Sequence, residues 1–138
     1  MSAVYLETSA VLAWLMNQSG ADEIRSRTTK ARHVVTSALT LAETERALAR
    51  ADVQKVIRAA DVQRLLGLFQ RAHQGWMKMS VSDEILSRAG QRFPVEPVRT
   101  LDAIHLATAL TLIRAIPDLR LLSLDRRIRD NAVALGLD

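Results

Sequence analysis

Short apolar runs alternate along the whole chain with longer helix-patterned segments, and this alternation restricts the fold more than any other feature. VYL (residues 4–6) precedes helical patterns in TSAVLAWLMN (8–17) and ADEIRSRTTKA (21–31). HVVTS (33–37) reads as a second strand, followed by a helix in ALTLAETERALARA (38–51) and a long one in DVQKVIRAADVQRLLGLFQRAHQ (52–74). WMKMSV (76–81) reads as a third strand and SDEILSRAGQRF (82–93) as a helix. Pro94 and Pro97 make PVEPVR a loop. TLDAIHLATALTLIRA (100–115) is helical, with Leu101, Ile104, Leu106 and Leu110 among its apolar positions. LRLLSL (119–124) is the last strand, and RRIRDNAVALG (126–136) a closing helix with Gly136 past its end. Strands separated by helices imply a parallel sheet covered on both faces. The expected architecture is a three-layer α/β domain with a mostly parallel central sheet, one domain over residues 1–138, without repeat, low-complexity tract or linker.

Such a length supports a sizeable core, and 49% apolar with 25% charged residues is ordinary for a soluble globular protein. No apolar run approaches the roughly 20 residues that span a bilayer, and the start lacks the pattern of a signal peptide. With no cysteine, disulfides and thiolate metal sites are excluded. A cytoplasmic protein without membrane attachment is expected. The net charge is +4, and of the 19 basic residues only Lys30, Lys55 and Lys78 are lysines. Arginine grips phosphate in bidentate fashion. This balance permits a nucleic-acid ligand, and it equally fits charge dispersed over a solvated surface.

Four acids stand in otherwise apolar surroundings: Glu7 after VYL, Glu43 in LTLAE, Asp102 in TLDAIHLA and Asp125 after LLSL. Each has a structural reading. Glu7 can complement a helix N-terminus. Glu43 fits a capping box with Thr40. Asp102 fits the first turn of a helix capped by Thr100, and Asp125 can cap the closing helix. Glu7 and Asp125 each finish a strand, which gives a second reading, because open α/β sheets put their chemistry there. Gathered together, they would repel by about 4 kcal/mol per pair at about 4 Å and an effective dielectric of 20. Such a cluster protonates or binds a cation. No lysine adjoins them, and Arg46 and Arg99 compensate only in part. Oxygen-only ligands without cysteine point to Mg²⁺ or Mn²⁺ rather than zinc.

The ordered blocks YLETSAVL, SALTLAETERAL, RTLDAIHLATAL and LLSLDRRI resemble the PIN-domain family, and in particular the ribonuclease toxins of VapBC toxin–antitoxin modules. The resemblance covers essentially the whole chain. It implies a PIN-like fold and an endoribonuclease using Mg²⁺ or Mn²⁺ in a pocket of Glu7, Glu43, Asp102 and Asp125. It also implies an antitoxin partner that blocks the acids, and a homodimer. Ser9 and Ser123, beside the acids in these motifs, are expected to orient carboxylates or waters. The family usually has Asp where this chain has Glu7, a lengthening on the order of 1.3–1.5 Å. That departure leaves a second expectation, a catalytically impaired PIN-like module that binds RNA or protein.

A basic rim would guide RNA to an acidic pocket. Arg46, Arg99, Arg126, Arg127 and Arg129 are its candidates because each lies near an acid-bearing block. His105, three residues after Asp102, reads as a packed or hydrogen-bonded helix histidine, with general acid–base chemistry as its other reading. Trp14 and Trp76 fall within apolar runs and read as core. A receiver-type signalling domain also carries acids at strand ends, but LLSLDRR offers no lysine of the kind such a domain needs.

Overall fold

The computed structural model describes residues 2–138. Its sheet has four strands: β1 (Val4–Leu6), β2 (Val34–Ser37), β3 (Met77–Met79) and β4 (Arg120–Leu122). They lie in the order β3-β2-β1-β4 with every pairing parallel. The helices are α1 (Thr8–Leu15), α2 (Ala21–Lys30), α3 (Ala38–Val53), α4 (Ala59–Ala72), α5 (Asp83–Ala89), α6 (Thr100–Ile113) and α7 (Arg126–Ala134). No helix among the described residues is long and apolar enough to cross a membrane.

Successive strand residues point to opposite faces, and β1 shows what this does. Ala3 and Tyr5 enter a core with Leu106 and Ala109 of α6 and Ile128 of α7. Val4 and Leu6 enter a second core with Val11, Ile24, Leu48, Leu65 and Phe69 from α1 to α4. A strand buried on both sides therefore reads as an unbroken apolar run. Register is fixed by Val4 opposite Val34 and Arg120, and Tyr5 opposite Val35 and Leu121. On the outer side of β4, the Leu121 N–H donates to the Leu137 carbonyl at 2.7 Å, so the C-terminal segment covers that edge.

Several expected boundaries shift for identifiable reasons. The helix beginning at Asp52 does not exist as one piece. Instead α3 ends at Val53, Gln54 caps it and Lys55 just beyond adopts φ 55, while α4 begins only at Ala59. The Lys55 N–H donates to Asp52 and the Val56 N–H to Ala51, the paired bonds of a left-handed helix stop. This reversal lets Val62, Leu65 and Phe69 turn back to the sheet, and leaves Val53 and Val56 exposed at the tip. The third strand shrinks to Met77–Met79 at the sheet edge, with Trp76 outside it. The last strand stops at Leu122, so Ser123 and Leu124 leave the ladder. Gly136, φ 75, closes α7 as expected, with its N–H and that of Leu137 donating to Val133 and Ala132.

β1 lies between β2 and β4, so the chain moves outward in one direction through β2 and β3 and later returns to the other side of β1. Between β1 and β4 this order reverses, and a crevice opens beyond the carboxyl ends of the strands. Glu7 and Asp125 follow those two strand ends.

Candidate active site

Glu7 is the last residue before α1, and its side chain turns back onto the helix it starts. Oε2 accepts from the Ser9 N–H at 3.0 Å, and Oε1 accepts from the Ser9 hydroxyl at 2.5 Å and the Ser123 hydroxyl at 2.6 Å. Both serines therefore hold a carboxylate. Each is fixed in turn, because Ser9 Oγ accepts from the Leu124 N–H and Ser123 Oγ from the Asp125 N–H. Release of Ser123 from β4 makes this geometry accessible.

Asp125 caps α7, with Oδ1 accepting from the N–H groups of Arg127 and Ile128 at 3.0 and 3.2 Å. Asp102 lies in the first turn of α6, but Thr100 is not its cap: the helix starts at Thr100, and Arg99 occupies the cap position with no side-chain bond to the helix's N–H groups. Three of the four carboxylates thus face helix N-termini, where unpaired N–H groups and the helix dipole favour negative charge. This reduces the mutual repulsion of the cluster. Arg99 reduces it further, with Nε 3.3 Å from Asp102 Oδ2 and a terminal nitrogen 3.8 Å from Asp125 Oδ2.

Glu43 is different. Ser37 caps α3, accepting from the Leu39 N–H, so Thr40 lies inside the helix and no capping box forms. The Glu43 side chain instead crosses to α1 and α6. Its Oε1 accepts from the Thr8 hydroxyl at 2.6 Å and lies 2.6 Å from His105 Nε2. Burial pushes this carboxyl up, but the bonds from His105 and Thr8 outweigh that effect and hold it below the ordinary value of 4.5. His105 is completely buried, and its other nitrogen is 2.7 Å from the Tyr5 hydroxyl, in keeping with a hydrogen-bonded helix histidine. Burial, aided by the charge of Glu7, pushes the Tyr5 phenol far up, so it stays neutral.

A groove of about 510 Å³ receives all four acids together with Thr8, Ser9, Arg46, Arg50 and Arg99. Among the described residues, no three acids or histidines converge closely enough to enclose a metal ion. Glu43 Oε2 and Asp102 Oδ1, however, accept no hydrogen bond from the described residues, so each carboxylate keeps an oxygen available. The donor set is all-oxygen and suits a hard divalent cation.

Of the expected rim, Arg46 and Arg99 line the groove, whereas Arg126, Arg127 and Arg129 do not. Arg126 reaches back toward Asp130 at 3.9 Å, and Arg129 lines a separate groove with Arg27 and Glu23. Arg127 uses its backbone, donating to Asp125 and accepting from Asn131. These residues follow a helix cap, and consecutive helical positions radiate away from one another. Arg50 is an addition to the expected set: it lies four residues after Arg46 and seven after Glu43, on the same helical face. Leu101, expected on the apolar side of its helix, is 47% exposed and forms part of the groove wall. Trp14 and Trp76 pack against the second core as expected.

Comparison with known proteins agrees with this architecture. A profile of the PIN domain matches residues 4–134. Ribonuclease VapC46 of Mycobacterium tuberculosis is 37% identical over 138 residues, covering 99% of this chain and 95% of that one. Ribonuclease VapC35 of the same organism is 30% identical, covering 97% and 93%. Among solved structures, the M. tuberculosis toxin VapC20, described as cleaving the sarcin–ricin loop, superposes with a TM-score of 0.65 at 14% identity, covering 92% and 93% of the two chains. VapBC2 from Rickettsia felis, bound to a DNA fragment from its promoter, gives 0.57 at 13% identity, covering 89% and 99%. The chain belongs to the PIN-domain family, among the VapC-like ribonuclease toxins of toxin–antitoxin modules.

Proposed function

We propose that this chain is a Mg²⁺- or Mn²⁺-dependent endoribonuclease, the toxin of its module, which hydrolyses RNA phosphodiester bonds in the acidic groove. The observation that carries the reading is the arrival of Glu7, Glu43, Asp102 and Asp125, from four parts of the chain, in one groove edged by arginine. A divalent cation held by these carboxylates would supply a Lewis acid for the phosphate and a more acidic water at neutral pH. The protein's own contribution is position and charge. Ser9 and Ser123 fix Glu7, Thr8 and His105 fix Glu43, and the backbone of α7 fixes Asp125. Arg46, Arg50 and Arg99 hold the phosphates on either side of the cleaved bond by charge-assisted hydrogen bonds. A cognate antitoxin blocks the same groove, and the toxin works as a homodimer.

Purified protein is expected to cut an end-labelled structured RNA with Mn²⁺ or Mg²⁺ and to stop when EDTA is added. Cleavage that persists in EDTA would refute metal dependence. The rim is tested separately, in an Asp102→Asn background that prevents turnover. There, Arg46→Ala with Arg50→Ala should weaken RNA binding and flatten the plot of log affinity against log salt by roughly 1.4, about 0.7 for each single-strand phosphate that is no longer neutralised. An unchanged slope would remove both arginines from the phosphate path.

A further inference from the structure

Behind Glu43 runs a line of buried polar groups that hydrolysis itself does not require. Tyr5 and His105 are both wholly buried, with their rings edge-on at 5.9 Å. The Tyr5 hydroxyl is 2.7 Å from His105 Nδ1, and His105 Nε2 is 2.6 Å from Glu43 Oε1. An ionised carboxylate only accepts hydrogen bonds, so the nitrogen facing it must carry the proton. Its other ring nitrogen, Nδ1, shares a hydrogen bond with the Tyr5 hydroxyl, so both sides of the imidazole are tied. Tyr5 therefore fixes the orientation of the ring that His105 presents to the acid.

The placement of these residues ties them to the groove. Tyr5 lies two residues before Glu7 on β1, Thr8 follows Glu7 directly, and His105 lies one turn beyond Asp102 on α6. All three lead to one oxygen of Glu43, Oε1, and among the described residues its Oε2 has no hydrogen-bond partner. A histidine serving packing alone could end on a carbonyl within the core. This one ends on an acid of the groove, contributed by α3.

We propose that Tyr5 and His105 are positioning residues, which hold Glu43 by its inner oxygen so that the outer one is set, relative to Glu7 and Asp102, to receive a divalent cation. The proposal rests on reading the groove as a metal site, and it adds residues that the four acids do not include. Groups of this kind, behind a metal ligand, typically control affinity or activity by about 10–100-fold.

The test is Mn²⁺ binding by the purified full chain, followed as loss of the free-ion electron paramagnetic resonance signal, with thermal melts in parallel. His105→Leu should weaken Mn²⁺ binding by about 10–100-fold. Tyr5→Phe, which keeps the ring and its volume, should weaken it about 10-fold, at the lower end of that range. His105→Gln offers an N–H at similar reach and should recover most of the affinity. Wild-type affinity in folded Tyr5→Phe would overturn the proposal, even if His105→Leu fails to fold. Glu43→Gln separates the positioning role from the metal site itself. If wild type binds Mn²⁺ and Glu43→Gln weakens it while Tyr5→Phe does not, only the positioning role fails. If wild type binds no Mn²⁺, the metal reading of the groove falls and the proposal with it.

Discussion

Replacing Asp102 by Asn is expected to lower RNA cleavage by at least about 100-fold, beyond the range usual for groups that merely support a metal ligand. The substitution conserves shape and removes one charge from a side chain that is otherwise enclosed. Asp102 sits in the first turn of a helix whose residues from Asp102 to Ala109 are all buried, so its carboxylate cannot be replaced by a neighbour's swinging in. Its partner Arg99 has a side chain 72% exposed and rehydrates easily once the ion pair is broken. The fold should therefore survive. Removal of one of four neighbouring negative charges also relieves repulsion, so the thermal midpoint should not fall. Cleavage and melting measured on the same preparation check both statements. Undiminished cleavage by the Asn variant would mean either that Asp102 only complements the first turn of α6 or that the activity belongs to a contaminant.

The strands and the acids were legible in the sequence because both are local signals that burial sharpens. A central strand covered on both faces has to be apolar throughout, as VYL is, and an ionisable residue beside such a run stands out. Junctions between elements carry weaker local signals. Ser37 is at once the last residue of β2 and the cap of α3, and with no loop between them the Thr40–Glu43 pair imitates a helix start three residues late. The break between α3 and α4 was hidden because Lys55 takes a left-handed conformation that few non-glycine residues adopt. No glycine or proline marked it. Leu101 is exposed despite its apolar pattern: α6 is buried on nearly every side, which blurs the periodicity that distinguishes an inner from an outer face.

The groove's composition was only half legible for a related reason. Nearness in sequence to an acid suggested Arg126 and Arg127, yet the helix that Asp125 caps directs them elsewhere. Helical periodicity was the better guide, and applied to Glu43 it would have added Arg50 as well as Arg46. The pairing of Tyr5 with His105, a hundred positions apart, had no local signal at all. It exists because β1 and α6 pack face to face, and only the assembled sheet brings the two residues together.

Glu7→Gln should reduce cleavage about as severely as the Asp102 variant, for a reason specific to the way this residue is held. Three donors converge on its carboxylate: the Ser9 N–H, the Ser9 hydroxyl and the Ser123 hydroxyl. An amide offers one oxygen in place of two and introduces a donor of its own. The Ser9 N–H can only donate, so an amide nitrogen set against it leaves an unsatisfied buried group, which costs about 1–3 kcal/mol. One set against the hydroxyls forces them to turn from donors into acceptors. The amide will rotate away from its present position, and the groove no longer has its charge. Glu7→Asp isolates reach from charge. Shortening by roughly 1.3–1.5 Å would carry the carboxylate beyond the serine hydroxyls that now lie at 2.5 and 2.6 Å unless β1 shifts forward. An about 10-fold loss, at the lower end of the effect of removing such supporting bonds, is expected. RNA cleavage and Mn²⁺ affinity measured side by side check both variants. If Gln and Asp both leave them unchanged, Glu7 serves α1 as a cap and takes no part in the chemistry. If wild type already binds RNA without cutting it or holding Mn²⁺, the longer acid marks a PIN-like binding module that no longer catalyses.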